Sequence, residues 1–472
     1  MASIVVLLGA CSNEHTGSPV VPDGDFDDDG ATEGVDCDDR AADVYPGALE
    51  VDGDGIDQNC DGVDQQAVSL RSVGLSVAGK HVGSGLGFLS LGAGDLDGDG
   101  RDDALVGAGY IPSDYEPPVD EVWLVRGAGG APSLSQEVAG DVGALSSFDV
   151  LRDGDDVLTL FGNETHVYGF WGLWPERLWT GDAAIDLVAF SARMSHGDLD
   201  GDGRTDVAFN MRTDEVLVHT GPLETSGNAK DGDVTLQGSF GGTFGYTTAV
   251  GDANGDGIGD LVVSAMAAPG GAIFVFTGPL TDAVLGVEDA WARFDGDTAD
   301  AGVGSSLPGA LRVEDLTGDG DADLLIPASH GPLSGRVWLV QGPTSGTHVL
   351  TDEVPHLDGD EDGVHLGTTG TTGPDLNGNG APELLVSGAD AWYPGVIFGF
   401  DLPIDPDQFA TSRSAYAIVG DTNGDAAGAS LAAGDFDGDG RVDALIGATG
   451  VDVPDYEGAG TVTLVLAGAL GP

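Results

Sequence analysis

The stretch "GDLDGDGRDDALVGAG", Gly94 to Gly109, places five carboxylates within the nine residues Asp95 to Asp103 and then runs straight into an apolar, strand-like segment. Carboxylates about 5 Å apart repel by roughly 3 kcal/mol per pair at an effective dielectric near 20. A tight loop built from them resists folding unless a cation shares it. The frame recurs as "DLDGDGRTD" from Asp198, "DANGDGIGD" from Asp252, "DLTGDGDAD" from Asp315, "DLNGNGAPE" from Asp375 and "DFDGDGRVD" from Asp435. Oxygen-bearing side chains fill positions 1, 3, 5 and 9, glycines at 4 and 6 let the chain curl, and position 7 offers its carbonyl.

Read in that frame, the candidate ligand sets are Asp95, Asp97, Asp99, Arg101 and Asp103; Asp198, Asp200, Asp202, Arg204 and Asp206; and Asp252, Asn254, Asp256, Ile258 and Asp260. Three more follow: Asp315, Thr317, Asp319, Asp321 and Asp323; Asp375, Asn377, Asn379, Ala381 and Glu383; and Asp435, Asp437, Asp439, Arg441 and Asp443. Hard oxygen donors without His or thiolate favour Ca²⁺ over transition metals. These sets fill a coordination shell themselves, which suits a structural ion better than a catalytic one.

Outward from each loop the flanks repeat as well. A Gly-rich apolar strand precedes it ("GLGFLSLGAG", "GTFGYTTAVG"), a second follows ("DALVGAG", "DLVVSAM", "ELLVSGA"), and a third comes after a variable loop ("EVWLVRG", "AIFVFTG", "TVTLVLAG"). Alternation and β-branched enrichment mark all three as strands, and no stretch keeps a helical period. Start-to-start spacings are 54, 63, 60 and 60 from Asp198 onward, but 103 residues separate Asp95 from Asp198. The gap holds "SSFDVLRDGDDVLTLFGNETHVYGF", a unit near 141–172 whose loop shrinks to a tight turn without a cation cage. That makes seven units. Seven small sheets that cannot each cover both faces do so when arranged radially, which predicts an all-β, seven-bladed propeller over 68–472. Val68 to Val77 is expected to supply the missing outer strand of the last blade and remove its free edge.

With "GLGF", "GTFG" and "DLDGDG" followed by "LVGA", the chain resembles FG-GAP repeat proteins, as in the propeller of integrin α subunits. The resemblance implies Ca²⁺ in the acidic hairpins on one face and a macromolecular partner on the opposite face. At Asp375 the loop departs from the pattern, because Asn377, Asn379 and Glu383 lower its charge. On the opposite face, loops carrying Tyr110, Tyr115, Trp392, Tyr393 and Tyr456 are the candidate anchors for a protein or glycan.

The 472-residue chain carries 80 acidic against 16 basic residues, a net charge of -64. That balance repels nucleic acid and anionic lipid headgroups. Nearly half of the acids lie in the six loops and in an acidic segment at 23–64, so the charge marks discrete cation sites rather than a uniformly salt-adapted surface. Within that segment Asp25, Asp27 and Asp29 alternate, Gly30 follows, Ala31 falls at position seven and Asp36 at position twelve, the spacing of a twelve-residue calcium loop. Asp52, Asp54, Asp57, Asn59 and Asp61 form a second group whose register stays open. With "VDCDD", "YPGALE" and "QNCDG", the segment resembles the Cys-containing metal-binding motif of bacterial surface proteins.

The first eleven residues, ending in Leu8-Gly9-Ala10-Cys11, resemble a bacterial lipoprotein signal, with Cys11 the lipidation site and 12–22 a linker. Cys37 and Cys60 then remain as a pair, which an oxidising compartment favours as a disulfide. No G-x-S-x-G, Walker or H-E-x-x-H motif occurs, and no two of the nine His lie closer than eight residues. The reading is an exported, lipid-anchored, calcium-stabilised propeller without enzymatic activity that binds a protein or glycan at the cell surface. Its alternatives are a purely structural surface module and a carbohydrate-active enzyme.

Overall fold

The computed structural model describes residues 67–471 apart from short stretches, the longest at 109–120 and 173–182. The lipobox with Cys11, the linker, the loop from Asp25 and the Cys37 and Cys60 pair lie outside the described residues, as do Tyr110, Tyr115 and Tyr456.

Seven antiparallel sheets form the blades of a propeller. Blade 1 spans 86–137, blade 2 145–188, blade 3 194–237, blade 4 244–296, blade 5 312–358 and blade 6 366–419, and blade 7 begins at 427 and ends at 465. Within a blade the strands follow chain order from the axis outward. The second strands Asp103–Ala108, Asp260–Ala265, Asp323–Ala328, Glu383–Gly388 and Asp443–Ala448 are buried at every residue. A neighbouring blade covers each face, so these strands read as unbroken apolar runs instead of alternating. The core is correspondingly a series of seams: Leu105, Phe148, Val157 and Phe161 pack between blades 1 and 2, and Leu385, Ile397, Leu431 and Ile446 between blades 6 and 7. Close approach between blades 1 and 7 requires glycine. Gly87 has φ 92°, and a Cβ there would meet Gly447 Cα at 2.7 Å.

The ring closes through Leu75–Ala78, which pairs antiparallel with Thr461–Val465, Leu75 opposite Leu464, and completes blade 7. The expected single strand over Val68 to Val77 is in fact split. Val68–Ser69 instead adds in parallel to Tyr416–Val419 on blade 6, Val68 opposite Ile418. Between them the short helix Leu70–Val73 buries Leu70 and carries the chain across the seam. Three other blades gain a parallel fifth strand in the same way: Gly227–Asn228 on blade 2, Val284–Gly286 on blade 3 and Gly346–Leu350 on blade 4. Each of the three is contributed by the chain of the next blade, so blades are stitched at their rims.

Blade 2 has the tight hairpin expected of it. Asp153 of Leu145–Asp153 pairs with Asp156 of Asp156–Asn163, which leaves no room for a nine-residue loop. The blade runs on to a fourth strand, Ile185–Val188, beyond the limit of 172 read from its repeat. Around the axis the first strands enclose a cavity of about 390 Å³ lined by Phe88, Ser90, Asp149, His196, Arg312 and Thr371 among others. Among the described residues no helix is long and apolar enough to cross a membrane.

Candidate metal centres in the blade hairpins

Each of the six acidic loops joins the first and second strands of its blade, so all six open at one end of the ring. Their backbone is curled by the loop's own side chains. The first Asp accepts the N–H of the second glycine: Gly100 to Asp95 at 2.9 Å, Gly203 to Asp198 at 3.0 Å, Gly257 to Asp252 at 2.8 Å, Gly320 to Asp315 at 3.0 Å and Gly440 to Asp435 at 2.9 Å. In the remaining loop Gly380 donates to both oxygens of Asp375, at 3.3 and 3.2 Å. Oδ1 of position 3 accepts the position-5 N–H in five loops, with Asp97, Asp200, Asn254, Asn377 and Asp437 as acceptors. Oδ1 of position 5 accepts the position-7 N–H in all six, from Arg101, Arg204, Ile258, Asp321, Ala381 and Arg441. Both glycines have φ > 0 in every copy, for example 82° at Gly98 and 89° at Gly100. Any other residue there would be strained.

The ninth residue has two roles. Asp103, Asp206, Asp260, Asp323, Glu383 and Asp443 are all buried. Asp103 accepts the N–H of Leu96 at 2.9 Å on one oxygen and that of Gly127, just past the third strand, at 3.0 Å on the other. Asp443 does the same with Phe436 at 3.0 Å and Ala467 at 2.8 Å. A carboxylate holds about four lone-pair sites, so these bonds leave capacity for an ion. Burial pushes Asp103, Asp260 and Asp443 up to about 6, against the lowering effect of those N–H donors, and moves Asp206, Asp323 and Glu383 in the same direction.

Carboxylates converge within the loops. In three groups, Asp95 with Asp97 and Asp99, Asp198 with Asp200 and Asp206, and Asp435 with Asp437 and Asp443, one ligand oxygen from each residue lies within 4.8 Å of the others. An all-oxygen donor set of that spread fits a hard divalent cation.

Sequence spacing picks out these loop carboxylates but not the groups that hold them. The second residue of each loop, Leu96, Leu199, Ala253, Leu316, Leu376 or Phe436, is a buried plug that anchors the loop to its seam. Arg126, closing the third strand of blade 1, donates from Nη1 to Asp97 Oδ2 at 2.5 Å. In blade 6 Tyr416 donates its hydroxyl to Glu383, while Asp401 accepts from the amides of Asn377 and Asn379, both at 2.8 Å. Burial and the Glu383 charge hold the Tyr416 hydroxyl well above its ordinary range.

At the other end of blade 6, Trp392 is 79% exposed. It lies in the turn between the second and third strands, where its N–H donates to Asp390 Oδ1 at 2.9 Å. The half-buried Tyr393 beside it gives its carbonyl to the N–H groups of Gly424 and Ala426 at 3.1 and 3.2 Å. Of the five proposed aromatic anchors, these two are the ones within the described residues, and they sit opposite the acidic loops.

Two family models match the chain. The FG-GAP repeat family model matches residues 244–276 and 427–465, the first three strands of blades 4 and 7. A second model, described as "Putative metal-binding motif" (Cu-binding MopE), matches residues 36–65. No curated protein matches the chain. Among the solved structures that do are crystal structures of BBS1N in complex with ARL6DN. The mercury-soaked form has 9% identity and a TM-score of 0.42, covering 83% of this chain and 98% of that one. The lead-soaked form has 10% identity and a TM-score of 0.40, covering 83% and 94%. The chain is thus a seven-bladed β-propeller carrying FG-GAP repeats, preceded by a segment that matches a metal-binding motif.

Proposed function

We propose that the chain is a calcium-binding cell-surface lipoprotein whose propeller binds a protein or glycan partner through the face opposite its acidic loops. The observation that carries the calcium reading is the recurrence of one curled, all-oxygen loop in six blades, three of them with carboxylate oxygens within 4.8 Å of one another. An ion there cancels repulsion that a chain of net charge -64 otherwise carries into its tightest turns. The partner reading rests on the exposed Trp392 of blade 6, an aromatic in the turn at the end of the ring opposite the acidic loops. The lipidation and export reading rests on the likeness of the first eleven residues, ending in Cys11, to a bacterial lipoprotein signal.

A glycan and surface-protein array probed with the purified chain, once with Ca²⁺ and once with chelator, tests this function. Binding of one ligand class that Trp392→Ala weakens about tenfold is the expected result, a loss of roughly 1.4 kcal/mol. Binding to nothing on the array, with Ca²⁺ present and the fold intact, overturns the adhesive reading and leaves a structural module.

A further inference from the structure

Blades 1 and 6 differ in a matched way. Their third strands, Glu121–Arg126 and Val396–Asp401, have the same length and end beside the acidic loop. In blade 1 the last residue is Arg126, which meets the outer oxygen of Asp97. In blade 6 it is Asp401, which meets the amide nitrogens of Asn377 and Asn379, the residues at loop positions 3 and 5. An arginine thus faces carboxylates and a carboxylate faces amides at one place in the repeat.

The amides cannot turn over. Oδ1 of Asn377 accepts the Asn379 N–H at 2.9 Å and Oδ1 of Asn379 accepts the Ala381 N–H at 2.7 Å. Rotating either amide by 180° would set oxygen against the Asp401 carboxylate and nitrogen against a loop N–H. Asp401 therefore pins both carbonyl oxygens on the loop side, the arrangement the aspartates of the other loops adopt. Charge is matched as well. Blade 6 carries two carboxylates at positions 1, 3, 5 and 9, where the other loops carry three or four. With Asp401 these positions sum to −3, and with Arg126 the four carboxylates of blade 1 sum to the same value, the adjacent Arg101 and Asp102 cancelling one another.

We infer that Asp401 is a positioning residue that makes the blade 6 loop competent for a divalent cation, by orienting Asn377 and Asn379 and supplying the missing negative charge. This rests on the calcium reading above. Groups just outside a metal's ligands commonly change affinity 10- to 100-fold. Asp401 is exposed, so its replacement leaves the core intact.

Calorimetric Ca²⁺ titration of the full chain, with the melt as a check on folding, decides the matter. Asp401→Arg is expected to remove one site or weaken it at least tenfold while the other sites keep their affinity. Adding Asn377→Asp and Asn379→Asp to that variant rebuilds the blade 1 arrangement and is expected to restore the site, a rescue that a merely structural role would not produce. Asp401→Asn, milder to the fold, is expected to weaken the same site. An unchanged titration of Asp401→Arg overturns the inference alone, as does failure of the triple variant to recover the site while folded. Absence of Ca²⁺ uptake by the unaltered chain overturns the calcium reading itself.

Discussion

His196 and Asp149 stand on the first strands of blades 3 and 2, and His196 Nδ1 lies 2.8 Å from Asp149 Oδ2 across the seam between these blades. The Asp149 carboxylate raises the imidazole above its ordinary range, against the opposing effect of burial. A histidine raised on folding contributes stability that is complete below about pH 6.5, its unfolded value, and lost as pH climbs through the folded value. The seam between blades 2 and 3 is therefore expected to weaken from slightly acid toward alkaline pH. His196→Gln should flatten that slope in melts taken across this range, by less than about 1 kcal/mol, because the ring is still 41% exposed and the pair is screened. A slope unchanged in the variant would assign it elsewhere. At this scale the sequence was informative where spacing is local. Positions 1, 3, 5 and 9 of a loop announce themselves within nine residues, whereas Arg126 reaches Asp97 across 29 residues and Asp401 reaches Asn379 across 22. Such pairs depend on the length of the hairpin between, which periodicity does not encode.

Among elements, the short segment Leu75–Ala78 has the largest consequence for its length. It is the fourth strand of blade 7, and Ser76 adds a hydroxyl contact to Thr463 at 2.8 Å. Deleting 75–78 exposes the edge of Thr461–Val465 and is expected to lower the melting temperature by a few degrees, since a ring of about 400 residues shifts by roughly 1 °C for each kcal/mol lost. Deleting only 68–69 should cost less, because that pair adds a fifth strand to a blade already complete. Equal losses from both deletions would count against Leu75–Ala78 as the closing strand. Sequence patterning identified the inner three strands of each unit because neighbouring blades bury them. Outer strands such as Val234–Gln237, buried at alternate residues, and Val284–Gly286, with Val284 58% exposed, carry too little apolar signal to stand out from loops. The division of 68–77 into strand, helix and strand was illegible for a related reason: its turn is set by where blade 6 ends and blade 7 begins.

Across the whole molecule the acidic loops are not independent. The Asp375 N–H donates to Val442 O at 3.1 Å and Gly468 N–H to Asp375 O at 2.8 Å, which joins the loops of blades 6 and 7. Asp102 N–H donates to Asp435 O at 3.0 Å, and Asp435 N–H returns to Asp102 Oδ2 at 2.9 Å, which joins blades 7 and 1. Ions in these hairpins would thus brace seams as well as single blades. Chelation is expected to lower the melt of the purified chain by several degrees, and the chelated form should recover stability as salt rises from about 0.01 M to 0.15 M, over which the Debye length falls from roughly 30 to 8 Å. A melt indifferent to both chelator and salt would remove the electrostatic account. The repeat made the architecture legible at this scale because each loop is a fixed marker in a period of about sixty residues. Loop-to-loop bonds were not, since they arise from the radial arrangement.

Blade 7 joins Leu75 to Leu464. On a ribosome the early strand emerges with no partner and waits until nearly 390 further residues have followed. For all that time the nascent chain presents an open sheet edge, the kind of surface that invites association with other chains. Completion of the ring thus waits for Thr461–Val465, and a product truncated before that strand cannot close.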